Sequence, residues 1–348
     1  MWYTVCKLEF PSAWHNEEGD LKYLKGCKKD TYMEENRNQV NSNNYSLDVI
    51  IPVFRPDDKL NKLLDMLYKQ TVKPDRIIIL HTEEYPGQPQ PLPDFNNITA
   101  VPIDKKSFDH GGTRKYGATL SGADILMYMT QDAVPADEHL IERLLEPYSD
   151  PWVSATYARQ LPDDRASLVE RYTRYFNYPK HSRVKTLEDM DELGIKTFFC
   201  SNVCATYRKS VYQKLGGFVD RTIFNEDMIL AAAMIRADYK IAYVADARVV
   251  HSHRYTYWQQ FTRNFDLGVS HNEYVEVFHG LKSESEGIRL VKKTIRFLVE
   301  KKQYLLIPEV IIGSAFKFAG YQLGKRYDLL SVDLRIRCSM NKSYWTKP

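Results

Sequence analysis

Short apolar runs alternate with amphipathic stretches in the first half of the chain. Four short apolar runs, the first of them rich in β-branched residues, predict buried parallel strands at residues 47–53, 76–80, 98–103 and 125–129. A fifth strand is expected at 152–157, and helices are expected at 59–69, 113–121 and 137–145. The first helix carries one apolar face made by Leu60, Leu63, Leu64 and Leu67. This alternation predicts an α/β fold with a doubly wound, mostly parallel sheet flanked by helices.

The pattern changes along the rest of the chain and suggests three regions. Residues 1–45 are polar and predict an N-terminal extension. Residues 46–270 form the predicted main domain, divided into a nucleotide-binding half at 46–157 and an acceptor-binding half at 158–270. The second half contains predicted helices at 208–215 and 226–236 and a strand at 240–244. Residues 271–348 are basic and predict a helical C-terminal region.

Composition narrows the class of protein. The net charge of +3 over 348 residues argues against a nucleic-acid binder, which usually has a concentrated basic face. The 5 cysteines are odd in number and irregularly spaced, so we expect a reducing compartment and no disulfide framework. The N-terminus lacks the pattern of a signal peptide. Together these features predict a cytoplasmic protein.

Polar residues follow the predicted strands, where an α/β sheet binds its ligands. Gly111 and Gly112 precede a helix, and their backbone amides would approach a phosphate closely. Arg114 would add a forked positive charge. Asp132 ends a strand, a position that suits Mg²⁺ or Mn²⁺ shared with a diphosphate. A plain turn at the glycines and a capping role for Asp132 are the structural alternatives.

A second group of residues suggests a proton acceptor. Asp227 begins a helix just after Glu226, and if buried its pKa would suit removal of a proton from a hydroxyl group. Carboxylates also favour helix starts for electrostatic reasons alone. Asn202 and Gly217 lie in small, polar segments that would line a sugar pocket. Two further candidates follow the last strand: the pair His251 and His253, which would bind metal or phosphate, and Trp258, which would help to close the site.

The order of these motifs resembles family 2 glycosyltransferases with the GT-A fold, and within them bacterial rhamnosyltransferases that build surface polysaccharides. The carrying segments are residues 49–54, 108–114, 130–133, 225–227 and 251–253. The resemblance implies an inverting transferase that uses dTDP-β-L-rhamnose. It implies a nucleoside contact for Pro52, Phe54 and Arg55, the last acid of an Asp-x-Asp motif for Asp132, and the catalytic base for Asp227. The full donor-binding prediction is Pro52, Phe54, Arg55, Glu83, Asp109, His110, Gly111, Gly112, Arg114, Gln131 and Asp132.

Two departures from the family pattern qualify this prediction. Thr130 replaces the first acid of the Asp-x-Asp motif, so the expected metal ligands are Asp132 and His253, and the expected ion is Mg²⁺ or Mn²⁺. The acidic pair after the second strand reads His81-Thr82-Glu83-Glu84, which leaves recognition of the base open. The acceptor-binding prediction is Asn202, Gly217, Glu226 and Trp258.

The predicted partners are a nucleotide-sugar donor and a polysaccharide or polyprenyl-diphosphate-linked glycan acceptor. Residues 287–330 mix basic and apolar side chains. This pattern suits a helix that contacts the inner face of a membrane. The alternatives are a helix that packs on the catalytic domain and a helix that forms a homodimer. Two other functions remain open. A sugar-nucleotide pyrophosphorylase would carry its glycine-rich loop after the first strand, and a non-catalytic carbohydrate-binding scaffold would explain Thr130.

Overall fold

A nine-stranded sheet forms the centre of the protein. The computed structural model describes residues 45–83, 96–278 and 283–346, so the predicted N-terminal extension lies outside the described residues except for its last position. The strands are β1 Leu47–Phe54, β2 Arg76–Glu83, β3 Ile98–Asp104, β4 Ile125–Met129, β5 Val134–Pro135, β6 Val153–Leu161, β7 Arg183–Lys185, β8 Cys204–Arg208 and β9 Lys240–Val250. Their order is β3-β2-β1-β4-β8-β6-β9-β5, with β7 paired to β9.

Helices cover the sheet and extend beyond it. In the described part of the chain they are α1 Asp58–Tyr68, α2 His110–Leu120, α3 Leu140–Leu145, α4 Leu168–Asn177, α5 Met190–Leu193, α6 Lys209–Lys214, α7 Glu226–Arg236, α8 Tyr257–Glu273, α9 Val275–Phe278, α10 Ser283–Glu300, α11 Ile307–Gly324 and α12 Val332–Cys338. None of the described helices combines the length and apolarity needed to cross a membrane.

Strand direction and burial confirm the predicted fold class. Strands β1, β2, β3 and β4 pair in parallel, and β6 and β9 run the same way because β8 lies antiparallel to both β4 and β6. Successive residues of β1 face different apolar cores, with Ile50 in one and Ile51 in the other. Helices therefore bury both faces of the sheet, as expected for a mostly parallel sheet. The predicted strand at 125–129 is confirmed residue for residue.

Two predicted elements are longer than the sequence pattern indicated. Helix α2 begins at His110, three residues before the predicted start, because the Asp109 side chain caps it. Strand β9 continues six residues past the predicted run at 240–244 and ends at Val250, just before His251 as expected, and its last part pairs with β5 and resumes its pairing with β6 after a register shift. The glycines at 111 and 112 are thus part of the first helical turn and do not form a loop before it.

The C-terminal helices pack onto the catalytic region through glycine contacts. A Cβ at Gly320 would lie 2.2 Å from the carbonyl oxygen of Phe261, and one at Gly324 would lie 2.1 Å from that of Phe265. Only glycine allows α8 and α11 to approach this closely. The predicted alternative in which this region packs on the catalytic domain is therefore confirmed for one face of α11, while Ile311, Ile312 and Phe318 stay exposed.

Candidate functional site

Parallel strands bring the predicted donor-binding residues to one edge of the sheet. Gln131, just after β4, accepts a hydrogen bond from the backbone N–H of Phe54 at 2.8 Å and donates one to the Phe54 carbonyl at 3.1 Å. These two hydrogen bonds hold the carboxyl ends of β1 and β4 together. The Phe54 ring is 37% exposed and lies beneath the cationic groups of Arg55 and Lys105, at 5.1 and 5.2 Å. An exposed aromatic ring with cations nearby suits a nucleoside and its phosphates.

The glycines of the predicted phosphate turn have a different role from the expected one. Both amide N–H groups donate to Oδ1 of Asp109, at 3.0 Å from Gly111 and 2.9 Å from Gly112. A Cβ at Gly111 would lie 2.1 Å from the carbonyl oxygen of Val219, so close packing requires glycine there. The prediction that these amides bind a phosphate is therefore corrected. The amides instead donate to Asp109, which caps α2, and the segment at Val219 packs over them.

Arg114 also has a protein partner. Its Nη1 lies 3.2 Å from Oε1 of Glu226, and both side chains are buried. The Asn202 side chain donates a second hydrogen bond to the same oxygen at 3.1 Å. Burial raises the pKa of Glu226, but the charges of Arg114 and His110 and the hydrogen bond from Asn202 together outweigh burial, so the net shift is downward. Glu226 is therefore an ionised carboxylate held inside the protein, and it partly neutralises the positive charge of Arg114.

Asp227 combines geometry and charge suited to a proton acceptor. The chain enters α7 through Asn225, whose φ of 67° is in the left-handed region that asparagine tolerates. The backbone N–H of Asn202 donates to Oδ2 of Asp227 at 2.9 Å, and that of Met228 donates to Oδ1 at 2.8 Å. Burial, followed by the charge of Glu226, raises the pKa of Asp227 to about 7. The carboxylate is held rigidly and accepts a proton near neutral pH.

Three side chains at the carboxyl end of the sheet form a possible metal centre. Asp132, His251 and His253 place one ligand atom each within 4.8 Å of one another. Nε2 of His251 lies 3.5 Å from one oxygen of Asp132, and Nε2 of His253 lies 3.5 Å from the other. Burial lowers the pKa of both histidines, which favours the neutral imidazoles that bind metals. The sequence prediction named Asp132 and His253 as the metal ligands and the pair His251 and His253 as binding metal or phosphate, and the structure brings all three side chains together.

The tautomer of His251 follows from its neighbours. Arg174 donates to Oε1 of Gln160, and arginine has no acceptor, so this contact fixes the orientation of the Gln160 amide. The same Oε1 lies 3.1 Å from Nδ1 of His251. Nδ1 must then carry the proton, which leaves a lone pair on Nε2 directed at the Asp132 carboxylate. A lone pair and a carboxylate that face each other fit a shared divalent cation.

Hydrogen bonds and one peptide link connect the candidate metal centre to Asp227. Gln160 donates to the Tyr178 hydroxyl at 2.5 Å and to the Ser201 hydroxyl at 3.1 Å. Ser201 precedes Asn202, whose backbone binds Asp227. The two candidate centres therefore belong to one site. Gln160 and Arg174 were missed by sequence reasoning, since a buried glutamine in a strand and an arginine in a helix carry no motif.

The remaining predicted residues have less defined places. Glu83 ends β2, and Pro52 lies in β1 two residues before Phe54, at the same edge of the sheet. His110 is in contact range of the Arg114 side chain at 3.4 Å. Two predicted acceptor residues differ in environment: Gly217 has a φ of 70° and packs against Tyr212, while Trp258 is 53% exposed and stacks on Phe261. Their roles in acceptor binding stay predictions.

Comparison with known proteins identifies the family. The sequence matches the family described as Glycosyl transferase family 2 over residues 48–216. It is 40% identical over 300 residues to the O-antigen chain rhamnosyltransferase RfbN of Salmonella typhimurium, a match that spans 85% of this chain and 95% of the Salmonella protein. The chain belongs to glycosyl transferase family 2. It is a glycosyltransferase with the GT-A fold.

Two further matches agree with this assignment. The O-antigen chain rhamnosyltransferase WbaN of Salmonella anatum is 38% identical over 304 residues, which cover 86% of this chain and 96% of WbaN. Among solved structures, the mannosyltransferase PcManGT of Pyrobaculum calidifontis, in complex with GDP-Man and Mn²⁺, superposes with a TM-score of 0.51. That match has 14% sequence identity and covers 88% of this chain and 86% of the mannosyltransferase, so it supports the fold alone.

Proposed function

We propose that this glycosyltransferase transfers L-rhamnose, with inversion, from dTDP-β-L-rhamnose to a growing cell-surface polysaccharide or a lipid-linked oligosaccharide. The similarity to RfbN and WbaN, both O-antigen chain rhamnosyltransferases, supports the sugar and the acceptor class. The observation that carries the reaction type is Asp227, a rigidly held carboxylate whose pKa is raised to about 7. An inverting transfer needs one such base beside the reacting hydroxyl.

The proton-transfer step follows from the contacts of Asp227. Each carboxylate oxygen accepts one backbone hydrogen bond, so each retains a lone pair for the acceptor hydroxyl. As that hydroxyl attacks the anomeric carbon and the bond to the diphosphate breaks, Asp227 takes the hydroxyl proton. The ionised Glu226 nearby favours protonation of Asp227, because it disfavours a second negative charge.

The donor would bind across the carboxyl ends of β1, β2 and β4. Phe54 and Arg55 would contact the nucleoside, and the loop around Asp132 would face the diphosphate. Asp132, His251 and His253 would hold a divalent cation. Such an ion neutralises charge on the departing diphosphate. Two imidazole ligands favour Mn²⁺ over Mg²⁺, since Mg²⁺ strongly prefers oxygen.

Calorimetric titration with dTDP-rhamnose, UDP-glucose and GDP-mannose, each with and without Mn²⁺, tests the donor. We expect selective binding of dTDP-rhamnose, strengthened by Mn²⁺. Preference for another donor would overturn the sugar, and binding of none by a folded sample would favour the non-catalytic scaffold.

A turnover assay tests the role of Asp227. Asp227→Asn should bind the donor like the wild type and lose turnover by about 10²–10⁴-fold, the usual contribution of a general base. Asp246→Asn is the matched control, because Asp246 is an exposed carboxylate in β9. Near-normal turnover in Asp227→Asn would show that Asp227 is not the base.

A further inference from the structure

An open cavity of about 680 Å³ lies outside the donor and metal sites. Helices α4, α8, α10 and α11 form its walls, and mostly apolar side chains line it. We call it the apolar groove. Its volume is within the roughly 300–1,000 Å³ of small-molecule sites. Neither the donor-binding residues nor the proposed base accounts for it.

Specific contacts between helices fix the positions of the walls of the apolar groove. On one side, the ring of Tyr172 in α4 stacks on Phe297 in α10 with centroids 4.3 Å apart. On the other side of the groove, α11 packs closely against α8 at Gly320 and Gly324. Near Gly313, which lines the groove, the helices separate: the nearest atom to a Cβ there is 3.4 Å away. The groove is therefore a defined feature of the helix packing.

The apolar groove adjoins the catalytic site through α8. This helix begins four residues after His253, and its groove-lining residues include Gln260 and Asn264. Arg263 lies between Gln260 and Asn264 in the sequence, and its guanidinium is 4.5 Å from the centroid of the Phe224 ring. Phe224 is three residues before Asp227. The Arg263 guanidinium also lies 5.9 Å from the ring centroid of Tyr255, and that ring stacks on the His253 ring with centroids 5.0 Å apart. Arg263 thus lies between the metal centre and the groove.

The charges around the apolar groove are unbalanced. Lys292 and Lys317 line it together with a single carboxylate, Glu309. Among the described residues, neither lysine makes an ion pair or a hydrogen bond. Arg263 contacts the rings of Phe224 and Tyr255 and makes no ion pair with a described residue, although its charge also acts on the buried Asp266. Cations at the mouth of an apolar cavity, near a site that handles glycans, are complementary to an amphiphile with an anionic head group.

We propose that the apolar groove binds the hydrocarbon chain of a lipid-linked acceptor, with the acceptor's phosphate group placed between Lys317 and Arg263. The glycan of such an acceptor would then extend past Arg263 to Asp227. This inference rests on the proposed function, because it assumes that the acceptor is a lipid-linked glycan. It adds where the lipid binds and which charges recognise its phosphate.

Concavity favours a single chain over a bilayer as the occupant. The most exposed apolar side chains of this region, Leu305 at 94% and Leu329 at 78%, are absent from the groove lining and would meet a bilayer surface. A hydrocarbon chain instead fits an open groove between four helices. The two types of contact can therefore be separated by substitutions at different positions.

Binding of farnesyl diphosphate to the full-length protein, measured by calorimetry, tests the proposal. Inorganic pyrophosphate and farnesol serve as the head group and the chain alone. Gly287→Trp should fill the groove without a clash at its Cβ, because nothing lies within 4 Å of that position. Lys317→Met removes the charge and keeps the length of the side chain. Leu305→Ala is the control outside the groove.

We expect farnesyl diphosphate to bind the wild type more tightly than either part alone, and to bind Gly287→Trp and Lys317→Met about tenfold more weakly. Leu305→Ala should bind like the wild type. Equal binding of pyrophosphate, or unchanged affinity in Gly287→Trp, would overturn the proposal. Binding to anionic vesicles but not to farnesyl diphosphate would assign the region to a bilayer, and a dimer disrupted by Gly287→Trp would assign the groove to a second copy.

Titration of each variant with dTDP-rhamnose separates the two proposals. A variant that binds the donor normally and loses farnesyl diphosphate has lost the groove alone. Failure of the wild type to bind dTDP-rhamnose, with farnesyl diphosphate still bound, would instead refute the donor and keep the groove.

Discussion

Asp227→Asn should make the protein more stable at alkaline pH while it removes activity. In the folded protein, burial and Glu226 raise the pKa of Asp227 from 3.8 to about 7. The folded state therefore binds this proton more tightly than the unfolded state does. Stability must fall as pH rises from about 4 to about 7 and change little above that, because only in this window do the two states hold different numbers of protons.

The size of the effect follows from the shift. About three pKa units, at about 1.4 kcal/mol each, correspond to about 4 kcal/mol of stability lost across the window. Asparagine does not ionise and removes that loss. However, the two oxygens of Asp227 accept hydrogen bonds from the backbone N–H groups of Asn202 and Met228. The oxygen of an asparagine side chain can accept only one of these bonds, and its NH₂ group faces the other N–H. One unsatisfied N–H costs about 1–3 kcal/mol at every pH. A net gain of about 1–3 kcal/mol should remain at pH 8.

Urea unfolding of both proteins at several pH values between 5 and 8 measures this difference. The stability of Asp227→Asn relative to the wild type should increase by about 2 kcal/mol from pH 5 to pH 7 and then level off. Asp246→Asn should show no such trend, since that carboxylate is exposed. Wild-type turnover should rise over the same pH range as the base loses its proton. A stability difference that is constant with pH would refute the raised pKa, and with it the physical basis for the assigned base.

Three further predictions address the metal centre, the helix packing and the buried ion pair. Gln160→Leu should weaken binding of Mn²⁺ alone by about 10–100-fold in calorimetry, while Gln160→Glu keeps an acceptor for His251; equal losses in both would exclude an orienting role. Gly324→Ala should destabilise the protein by about 1–3 kcal/mol in urea unfolding, whereas Gly287→Ala should stabilise it by about 0.5–1 kcal/mol in helix α10; similar effects would contradict the packing argument. Arg114→Met should cost about 3–5 kcal/mol of unfolding free energy at pH 7 and less at low pH, because it leaves Glu226 buried without its cation; a cost that does not change with pH would contradict it.

Sequence reasoning succeeded where local pattern determines structure. The strand at 125–129 and the helix at 226–236 were predicted with correct bounds, since apolar runs and helix starts are local signals. For β9 it gave too short an apolar run, 240–244, because pairing with β5 extends the strand up to Val250, although the strand was expected to end near His251. It also failed to expect that Asp109 would cap α2, because the alternative of a phosphate-binding turn fits the same glycines.

The site was predicted in its parts and missed in its connections. Asp132 and the pair His251 and His253 stood out as residues with metal-binding chemistry at strand ends. The choice of His251 as a third ligand depends on Gln160, which is 91 positions away in sequence and contacts it only in the folded protein. A hydrogen bond of this kind has no sequence signal, since it is created by the pairing of β6 with β9.

The distribution of charge in the site differs most from the sequence prediction, and it explains how one site can serve an anionic donor. Arg114 was expected to bind the diphosphate, but Glu226 partly neutralises it. Arg174 and Arg263 contact an amide and aromatic rings instead of carboxylates. Both contribute to the lowered pKa of His251 and His253, so both act on the metal centre. Arg55 and Lys105 lie beside Phe54 in the first half of the chain, and Arg174 and Arg263 add positive charge next to the candidate metal centre from α4 and α8, so both halves of the chain contribute cations at this end of the sheet.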